Sequence, residues 1–322
     1  MEIKNTNENI DNLINCCLCP RNCGINRIEA KGYCGKNSMI EVARAALHMW
    51  EEPCISGSRG SGAVFFCGCS LKCVFCQNAS ISGGKKGIAV TAGRLSEIFL
   101  ELQEQGANNI NLVTADHYIP QVREALMAAK QNGLLIPVIF NCGGYEKVDS
   151  LKLLEGLVDV YLPDMKYYSS EISKQYSNAP DYFDVAKAAV SEMFRQVGKP
   201  VFSGKNDIIE ENMIKKGVIV RHLVLPGAKK DAKSVIKYLY KTYKDDIFIS
   251  IMNQYTPMHG IEKDFPELGR RLSKREYDDV VDFALGLGVE NGFVQEGETA
   301  RESFIPEFSG EGVRRKANAK HF

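Results

Sequence analysis

The middle of the chain alternates short apolar runs with segments of helical spacing. The runs are mostly β-branched or aromatic and predict six strands buried on both faces: Ala63–Cys67, Ile110–Thr114, Pro137–Asn141, Val158–Leu162, Val218–Leu223 and Ile247–Ile251. Between them, apolar residues share one helical face in Leu95–Leu102, Val122–Ala129 and Ser273–Leu287. Strands that alternate with helices predict a parallel α/β sheet, either doubly wound or curled toward a barrel.

Polar and cysteine-bearing residues follow the ends of the predicted strands. They occupy six short segments: Gly68–Cys76, Ala115–His117, Cys142–Gly144, Pro163–Lys166, Val224–Gly227 and Asn253–Pro257. Ligands collect at the C-terminal ends of the strands in both kinds of parallel α/β fold. We therefore expect these segments to build one functional site.

The chain divides into three predicted regions. Residues 1–58 are rich in Cys, Gly and Asn and show little periodicity, which predicts a small cysteine-rich module with a metal site. Residues 59–297 hold the alternating strands and helices. Residues 298–322 are polar and basic and predict a frayed, solvated tail, because their charges are too few for a nucleic-acid arm.

Charge and cysteine content narrow the functional class. The formal net charge is zero, so we expect neither nucleic acid nor a membrane surface as a partner. The N-terminus lacks a secretory signal and the apolar runs are too short to span a bilayer, which predicts a soluble cytoplasmic protein. Ten of the eleven cysteines lie in the first 76 residues. In a reducing compartment, cysteines so concentrated are more often metal ligands than disulfide partners.

Three cysteines follow the first predicted strand in the spacing Cys-x3-Cys-x2-Cys. We call them the cluster-loop cysteines: Cys69, Cys73 and Cys76. Three thiolates on one loop can each bind one iron of a 4Fe–4S cubane and leave the fourth iron open. The residues alone also allow a zinc site or buried apolar thiols, and they leave Cys67 open as a fourth ligand.

The cluster loop and several other segments resemble the radical S-adenosylmethionine (SAM) superfamily. GCSLKCVFCQN is similar to the cluster loop of pyruvate formate-lyase activating enzymes, and CLCPRNCGINR, EEPCISGSRGSG, VYLPDMKYY, VRHLVLPG and NQYTP resemble homologues of those enzymes. The resemblance implies a partial (β/α)6 TIM-like barrel. It also implies that SAM binds the open iron and is cleaved by one electron to a 5′-deoxyadenosyl radical, which abstracts hydrogen from the substrate. The cluster-loop cysteines would then be the catalytic and metal-binding residues.

The same resemblance assigns SAM binding to seven further residues. They are Phe75, Asn78, Asp116, Asn141, Asp164, Lys166 and His259. Thr114–His117 stands where the superfamily usually has a glycine-rich, acid-ended segment, which would make Asp116 the partner of the SAM amino group. Lys166 would be a point charge for the SAM carboxylate, with a solvated lysine as the alternative. Asn141 replaces an aspartate that helps activating enzymes bind a monovalent cation, so that cation stays open.

A second set of cysteines near the N-terminus has the spacing Cys-x2-Cys-x3-Cys-x10-Cys. We call them the N-terminal cysteines: Cys16, Cys19, Cys23 and Cys34. Four thiolates with turn-forming glycines between them predict a closed second metal site, which zinc, iron or a second Fe–S cluster could fill. The alternative is a set of reduced thiols without metal. Cys17 and Cys54 have no predicted partner.

The predicted function is a radical SAM enzyme that activates a glycyl radical enzyme, as pyruvate formate-lyase activation does. Its partners would be that protein and an electron donor such as flavodoxin or ferredoxin. A radical SAM enzyme for a small molecule is a close second, and a non-catalytic Fe–S or zinc protein is the alternative from another class. A protein substrate needs an open groove at the barrel mouth, whereas a small molecule needs a closed pocket.

Overall fold

The computed structural model describes residues 13–84, 86–295 and 305–315. The strands of these residues are β1 Ile40–His48, β2 Ser61–Phe66, β3 Ile88–Val90, β4 Ile110–Val113, β5 Val138–Cys142, β6 Val160–Pro163, β7 Val201–Phe202, β8 Ile214–Leu223, β9 Phe248–Met252 and β10 Gly292–Val294. They form one sheet in the order β10-β9-β8-β6-β5-β4-β2-β1-β3, with β7 paired to β8.

The six predicted strands are confirmed as the parallel centre of this sheet. Neighbours pair in parallel from β2 through β4, β5, β6 and β8 to β9, and β10 adds another parallel strand beside β9. β8 begins at Ile214 rather than at the predicted Val218. The predicted α/β partial barrel is therefore confirmed, and its strand ends converge on one face.

Helices connect the parallel strands, as the apolar spacing predicts. In the described residues they are α1 Pro53–Ser56, α2 Ala79–Ser82, α3 Ala92–Glu104, α4 Ile119–Gln131, α5 Val148–Lys152, α6 Ser170–Ser177, α7 Tyr182–Val197, α8 Lys229–Tyr243 and α9 Lys274–Leu287. The predicted apolar face of α3 is buried against the sheet. α9 begins at a capping box in which Ser273 and Glu276 satisfy each other's backbone N–H groups.

Strand β1 lies in a region for which the sequence pattern predicts little regular structure. It runs antiparallel to β2 on one side and to β3 on the other. The predicted boundary between the N-terminal module and the barrel, at residue 58, stays a prediction, although β1 pairs with β2 across it. The barrel sheet thus takes up residues 40–48 of the cysteine-rich region.

Helix α1 closes the lumen of the barrel at the N-terminal ends of the strands. Cys54 and Ile55 pack with Ile139 and Val160, which lie on neighbouring parallel strands. The side-chain amide of Asn109, just before β4, donates to the carbonyl of Ile55 at 2.7 Å. Apolar packing therefore fills the lumen at this end.

Residues 305–315 pack along the barrel, so the prediction of a frayed tail is wrong for them. Gly310 N–H donates to the Ala43 carbonyl at 2.9 Å, and Ala45 N–H donates to the Glu311 carbonyl at 2.8 Å. Val313 is only 1% exposed, because it enters the core beside α3. The remaining predicted tail residues, 298–304 and 316–322, lie outside the described residues. Over the described parts of the chain, no helix has the length and apolarity to cross a membrane.

Candidate active site

A cavity of about 220 Å³ opens where the parallel strands end. Nine of the predicted site residues line it: Cys69, Cys73, Phe75, Cys76, Asn78, Asp116, Asn141, Asp164 and Lys166. They come from the loops after β2, β4 and β6 and from the end of β5, which are far apart in sequence. Of the six predicted strand-end segments, all but Val224–Gly227 contribute to the lining of this cavity.

Each cluster-loop cysteine accepts a hydrogen bond at its sulfur. Leu71 N–H donates to Cys69 Sγ at 3.4 Å, the Ser177 hydroxyl donates to Cys73 Sγ at 3.0 Å, and the Ser82 hydroxyl bonds to Cys76. Such donors stabilise sulfur that carries negative charge. Burial raises the pKa of both Cys69 and Cys76, so a metal would have to displace their protons on binding. Three sulfurs with donors, on one cavity wall, fit a cluster held by three thiolates.

Cys67 points away from this cavity. Its thiol donates to the Lys86 carbonyl at 2.6 Å and packs with Ala63 and Phe65. Burial raises the pKa of Cys67 to about 11. The structure thus removes the reason to regard Cys67 as a fourth ligand.

The turn into the cluster loop requires glycine at position 68. Gly68 has φ +92°, and a Cβ there would lie 2.6 Å from Lys36 Cγ and 2.9 Å from the Cys34 carbonyl oxygen. The next residue, Cys69, donates its N–H to that same Cys34 carbonyl at 3.3 Å. The cluster loop therefore leaves the sheet in direct contact with the N-terminal cysteines.

Phe75 forms one wall of the cavity and is itself held by aromatic neighbours. Its ring meets Tyr167, Tyr176 and Tyr255 edge-on, with centroids 6.2 to 6.3 Å apart. The ring is 5% exposed, so its position is fixed by packing. A fixed aromatic wall beside the thiols suits a flat apolar ring system such as adenine.

A network of charges forms the floor of the cavity. Arg221 Nε lies 3.0 Å from Asp164 Oδ1, and Arg221 Nη1 lies 3.2 Å from Glu51 Oε2. Lys166 forms an ion pair with the other oxygen of Asp164. Burial alone would raise the pKa of Asp164, but the charges of Lys166 and Arg221 outweigh it and lower that pKa.

Asn141 belongs to the same network. Its amide oxygen accepts from Arg221 Nη2 at 2.6 Å, and its amide nitrogen donates to Glu51 Oε1 at 3.4 Å. The chain itself therefore supplies a cation beside Asn141, where activating enzymes use an aspartate. Glu51 and Arg221 were not among the predicted site residues. The signal for Glu51 was a pair of glutamates before Pro53, in a segment otherwise rich in small residues.

Asp116 offers an anionic group at the cavity wall. It is 3% exposed, and its Oδ2 has no hydrogen-bond partner within the described residues. Burial opposes its charge, but the neighbouring His117 and Ser70 side chains outweigh that effect and lower its pKa. The backbone of Thr114, just before it, has φ +60°, a strained value for a β-branched residue. A buried carboxylate with a free oxygen fits a cationic group such as an amino group.

The structure does not bring His259 to this cavity. It is exposed on the loop after β9, whereas Met252 and Gln254 of the same stretch do line the cavity. Its predicted contact with SAM stays a prediction. His222, by contrast, is buried, and its Nδ1 bonds to the Met165 carbonyl at 2.7 Å. Burial lowers the pKa of His222, as expected of a neutral core histidine.

The N-terminal cysteines lie next to the cluster loop, where the Cys34 carbonyl accepts the Cys69 N–H. Cys16, Cys19 and Cys34 are buried and Cys23 is exposed. Among the described residues, no three His, Cys, Asp or Glu side chains are arranged to hold a single metal ion. The cluster-loop cysteines are not arranged around a single ion either. A cubane does not require such an arrangement, because it binds each thiolate to a separate iron. The predicted second metal stays a prediction.

Comparison with known proteins identifies similar sequences and folds. A family model described as the radical SAM superfamily matches residues 63–239. An uncharacterized protein of Methanocaldococcus jannaschii is 29% identical over 278 residues, which cover 84% of this chain and 74% of that protein.

Two solved structures of Streptococcus suis SuiB are also similar. One is described as bound to S-adenosylmethionine and the other as bound to the precursor peptide SuiA. Both have TM-scores of 0.47 at 12% and 14% identity and cover 71% of this chain. The chain spans 48% and 46% of the length of those two solved chains.

Proposed function

Because the chain belongs to the radical SAM superfamily, we propose that it is an enzyme that cleaves SAM reductively at the cavity of the cluster-loop cysteines. The observation that carries the proposal is that three thiols, an aromatic wall and an Asp–Lys pair share one cavity. When bound, a 4Fe–4S cluster and SAM supply a 5′-deoxyadenosyl radical that takes a hydrogen atom from the substrate.

The residues of the chain have distinct tasks in this proposal. The cluster-loop cysteines hold three corners of the cluster and leave one open. Asp116 binds the SAM amino group, and Lys166, oriented by Asp164, binds its carboxylate. Phe75 lies beside the adenine. Ile305 and Pro306 line the cavity from the C-terminal side, where they help to exclude water from a reactive radical.

We propose a glycyl radical enzyme as the substrate, with flavodoxin or ferredoxin as the electron donor. Support comes from the cluster-loop sequence GCSLKCVFCQN and from the Asp-x-Lys segment at Asp164. Trp50 lines the cavity yet is 58% exposed, and Met49 beside it is 44% exposed. An exposed aromatic and apolar rim at a cavity mouth is typical of a surface that binds another protein. We place this chemistry in the cytoplasm, where cysteine-bound clusters persist in the reduced state.

A small polar molecule is the second candidate substrate. The observation that favours it is the charged floor of the cavity, where Glu51 and Arg221 form an ion pair beneath the cluster loop. Such a substrate would present hydrogen-bonding groups to the carboxylate and the guanidinium.

The first experiment tests SAM cleavage. The protein is reconstituted anaerobically with iron and sulfide, reduced with dithionite and incubated with SAM, and 5′-deoxyadenosine is measured. We expect steady formation by the parent protein and background levels from Cys73→Ala. A fully loaded, reduced protein that forms no 5′-deoxyadenosine would exclude the enzyme function.

The second experiment separates the two substrates. Glycyl radical enzymes from an organism that encodes the chain are added to the reduced protein with SAM, and glycyl radical formation is followed by electron paramagnetic resonance. A glycyl doublet, formed in proportion to 5′-deoxyadenosine, is the expected result. If SAM is cleaved and no candidate protein gains a radical, the small-molecule proposal takes its place.

A further inference from the structure

The N-terminal segment, residues 13–38, has almost no apolar core. Besides three of the N-terminal cysteines, Leu18 is its one buried apolar side chain. Between Cys16 and Asn37 these described residues form neither helix nor strand. So short a segment normally needs a cross-link or a metal to adopt a single conformation. Its cysteines are all free thiols in this structure, so no disulfide holds this segment in a single conformation.

The backbone of this segment nevertheless turns so that its sulfurs face one another. Cys16 and Gly24 are tied by the hydrogen bond from Gly24 N–H to the Cys16 carbonyl, at 3.0 Å. Gly32 lies between two of the sulfurs, since a Cβ there would be 3.4 Å from Cys23 Sγ and 3.7 Å from Cys34 Sγ. These two sulfurs therefore lie within contact distance of the same point beside Gly32.

A buried cation lies beside the same thiols. Arg27 is fully buried, and its Nη1 contacts Cys16 Sγ at 4.0 Å. It also donates to the carbonyls of His117 and Asn37 and lies 5.6 Å from the centroid of the Tyr118 ring, and its Nε has no hydrogen-bond partner within the described residues. None of the ion pairs formed by the described residues includes Arg27. A buried guanidinium without an anion is costly, so its surroundings call for negative charge.

We propose that the N-terminal cysteines bind a second iron–sulfur cluster, closed by four thiolates, whose negative charge is balanced by Arg27. Zinc would draw four sulfurs to about 2.3 Å from one ion, a single-ion arrangement that the described residues do not show. A cluster spreads its thiolates over several irons, so it fits neighbouring thiols that are not arranged around a single ion. This proposal goes beyond SAM cleavage and does not depend on it.

The second cluster would also position the first. Arg21 lies between Cys19 and Cys23 in sequence, and its Nε donates to the Ser70 carbonyl of the cluster loop at 2.8 Å. Its Nη2 donates to the Ser177 carbonyl at 2.8 Å, and the Ser177 hydroxyl bonds to Cys73 Sγ. A metal that fixes the N-terminal cysteines would therefore also fix, through Arg21, the position of the loop that carries the cluster-loop cysteines.

The test removes the first cluster and asks what metal remains. In a variant with all three cluster-loop cysteines changed to alanine, iron, sulfide and zinc per chain are measured after anaerobic reconstitution. We expect about two to four irons per chain with matching sulfide. Adding Cys19→Ser and Cys23→Ser together should abolish them, because the two thiolates that remain are one fewer than the cluster loop uses. Cys17→Ser is the matched control, because Cys17 adjoins Cys16 and is exposed; it should keep the full iron content.

Three outcomes would overturn the proposal: no metal in the triple variant, one zinc per chain in place of iron and sulfide, or equal iron with and without Cys19 and Cys23. Cys23 is exposed, so serine there leaves no buried gap and the variant should fold. Far-ultraviolet circular dichroism confirms the fold of each variant. The iron count needs no SAM turnover, so its failure and the failure of SAM cleavage are distinguishable.

Discussion

At the scale of single residues, two cysteines that are close in sequence have different positions relative to the cavity. Cys67 and Cys69 are two positions apart, yet Cys69 lines the cavity and Cys67 bonds to the Lys86 carbonyl. The sequence left this choice open, because alternation along a strand would send both side chains to the same face. The positive φ of Gly68 breaks that alternation. Which of the two sulfurs faces the cavity thus depends on one glycine.

The first prediction concerns this difference. Cys73→Ala should lose the visible absorbance of the cluster-loop cluster, because two thiolates cannot hold a site-differentiated cubane. Cys67→Ala should keep it, since that thiol lies outside the cavity. Both are measured in the background of the double substitution Cys19→Ser and Cys23→Ser, so that a single cluster is observed. Loss of absorbance in Cys67→Ala, or its retention in Cys73→Ala, would refute the ligand assignment.

The second prediction concerns Glu146, which is buried behind Cys142. Burial, reinforced by the Asp116 charge, raises the pKa of Glu146 to about 8 from an ordinary 4.5. The folded protein thus keeps this carboxyl protonated while the unfolded chain ionises it. Its contribution to stability is full below about pH 4.5 and is lost as the pH rises toward 8, by a few kcal/mol in order of magnitude.

Glu146→Gln should remove that pH dependence. In urea unfolding of the metal-free protein, the parent should lose more stability between pH 5 and pH 8 than the variant does. Glu211→Gln is the control, because Glu211 is exposed. If Glu146→Gln and the parent lose stability equally over this range, the carboxyl ionises freely in the folded protein and the account fails.

At the scale of elements, the cluster loop is held from outside the barrel. Arg21 bonds to the carbonyls of Ser70, Ser177 and Asn178, so a single side chain ties the N-terminal segment to the cluster loop and to the end of α6. Its guanidinium also stacks 4.3 Å above the Tyr33 ring. Lys72 Nζ lies 4.8 Å from the centroid of the same Tyr33 ring.

The third prediction follows from this contact. Arg21→Ala should speed the chelator-induced loss of 5′-deoxyadenosine formation several-fold, because charge-assisted hydrogen bonds contribute about 1.5–3 kcal/mol each. Arg59→Ala serves as control, since Arg59 is exposed and donates to Ile208 away from the cavity. Equal rates of loss in the two variants would mean that the cluster loop holds its metal without the N-terminal segment.

The central strands could be predicted from sequence, whereas the edge of the sheet could not. Runs such as Val138–Cys142 are buried on both faces, so their apolar character is visible locally. β1 mixes Arg44 and His48 with alanines and gains its place from pairing with β2 and β3. Glu51 escaped notice for the same reason, because its partner Arg221 is 170 residues away. Long-range pairing leaves no periodic trace in one sequence.

At the scale of the whole molecule, residues 305–315 fasten two distant parts of the chain. Val313 is buried near α3, and Arg94 of that helix donates to the Val313 carbonyl at 3.1 Å. Composition predicted a solvated tail because this stretch is polar and basic. The prediction failed because one valine and a few backbone hydrogen bonds suffice to fix a segment against an exposed strand edge.

The fourth prediction tests that attachment. Val313→Ala should lower the free energy of unfolding by about 1–2 kcal/mol, because it removes two buried methyl groups. Val294→Ala is the matched control at 48% exposure and should change stability by less than about 0.5 kcal/mol. Both are measured by urea denaturation. Equal effects of the two substitutions would show that residues 305–315 do not pack against the barrel in solution.

The contact between β1 and residues 310–311 bears on how the protein is made. Arg44 and Glu311 form an ion pair across 267 positions, so one of them leaves the ribosome long before the other. Until then, the part of β1 that follows its pairing with β3 has no partner on that side, and an unpaired strand edge can associate with other nascent chains. Ile305 and Pro306 of the same segment line the cavity, so its wall is complete only after the segment has been made.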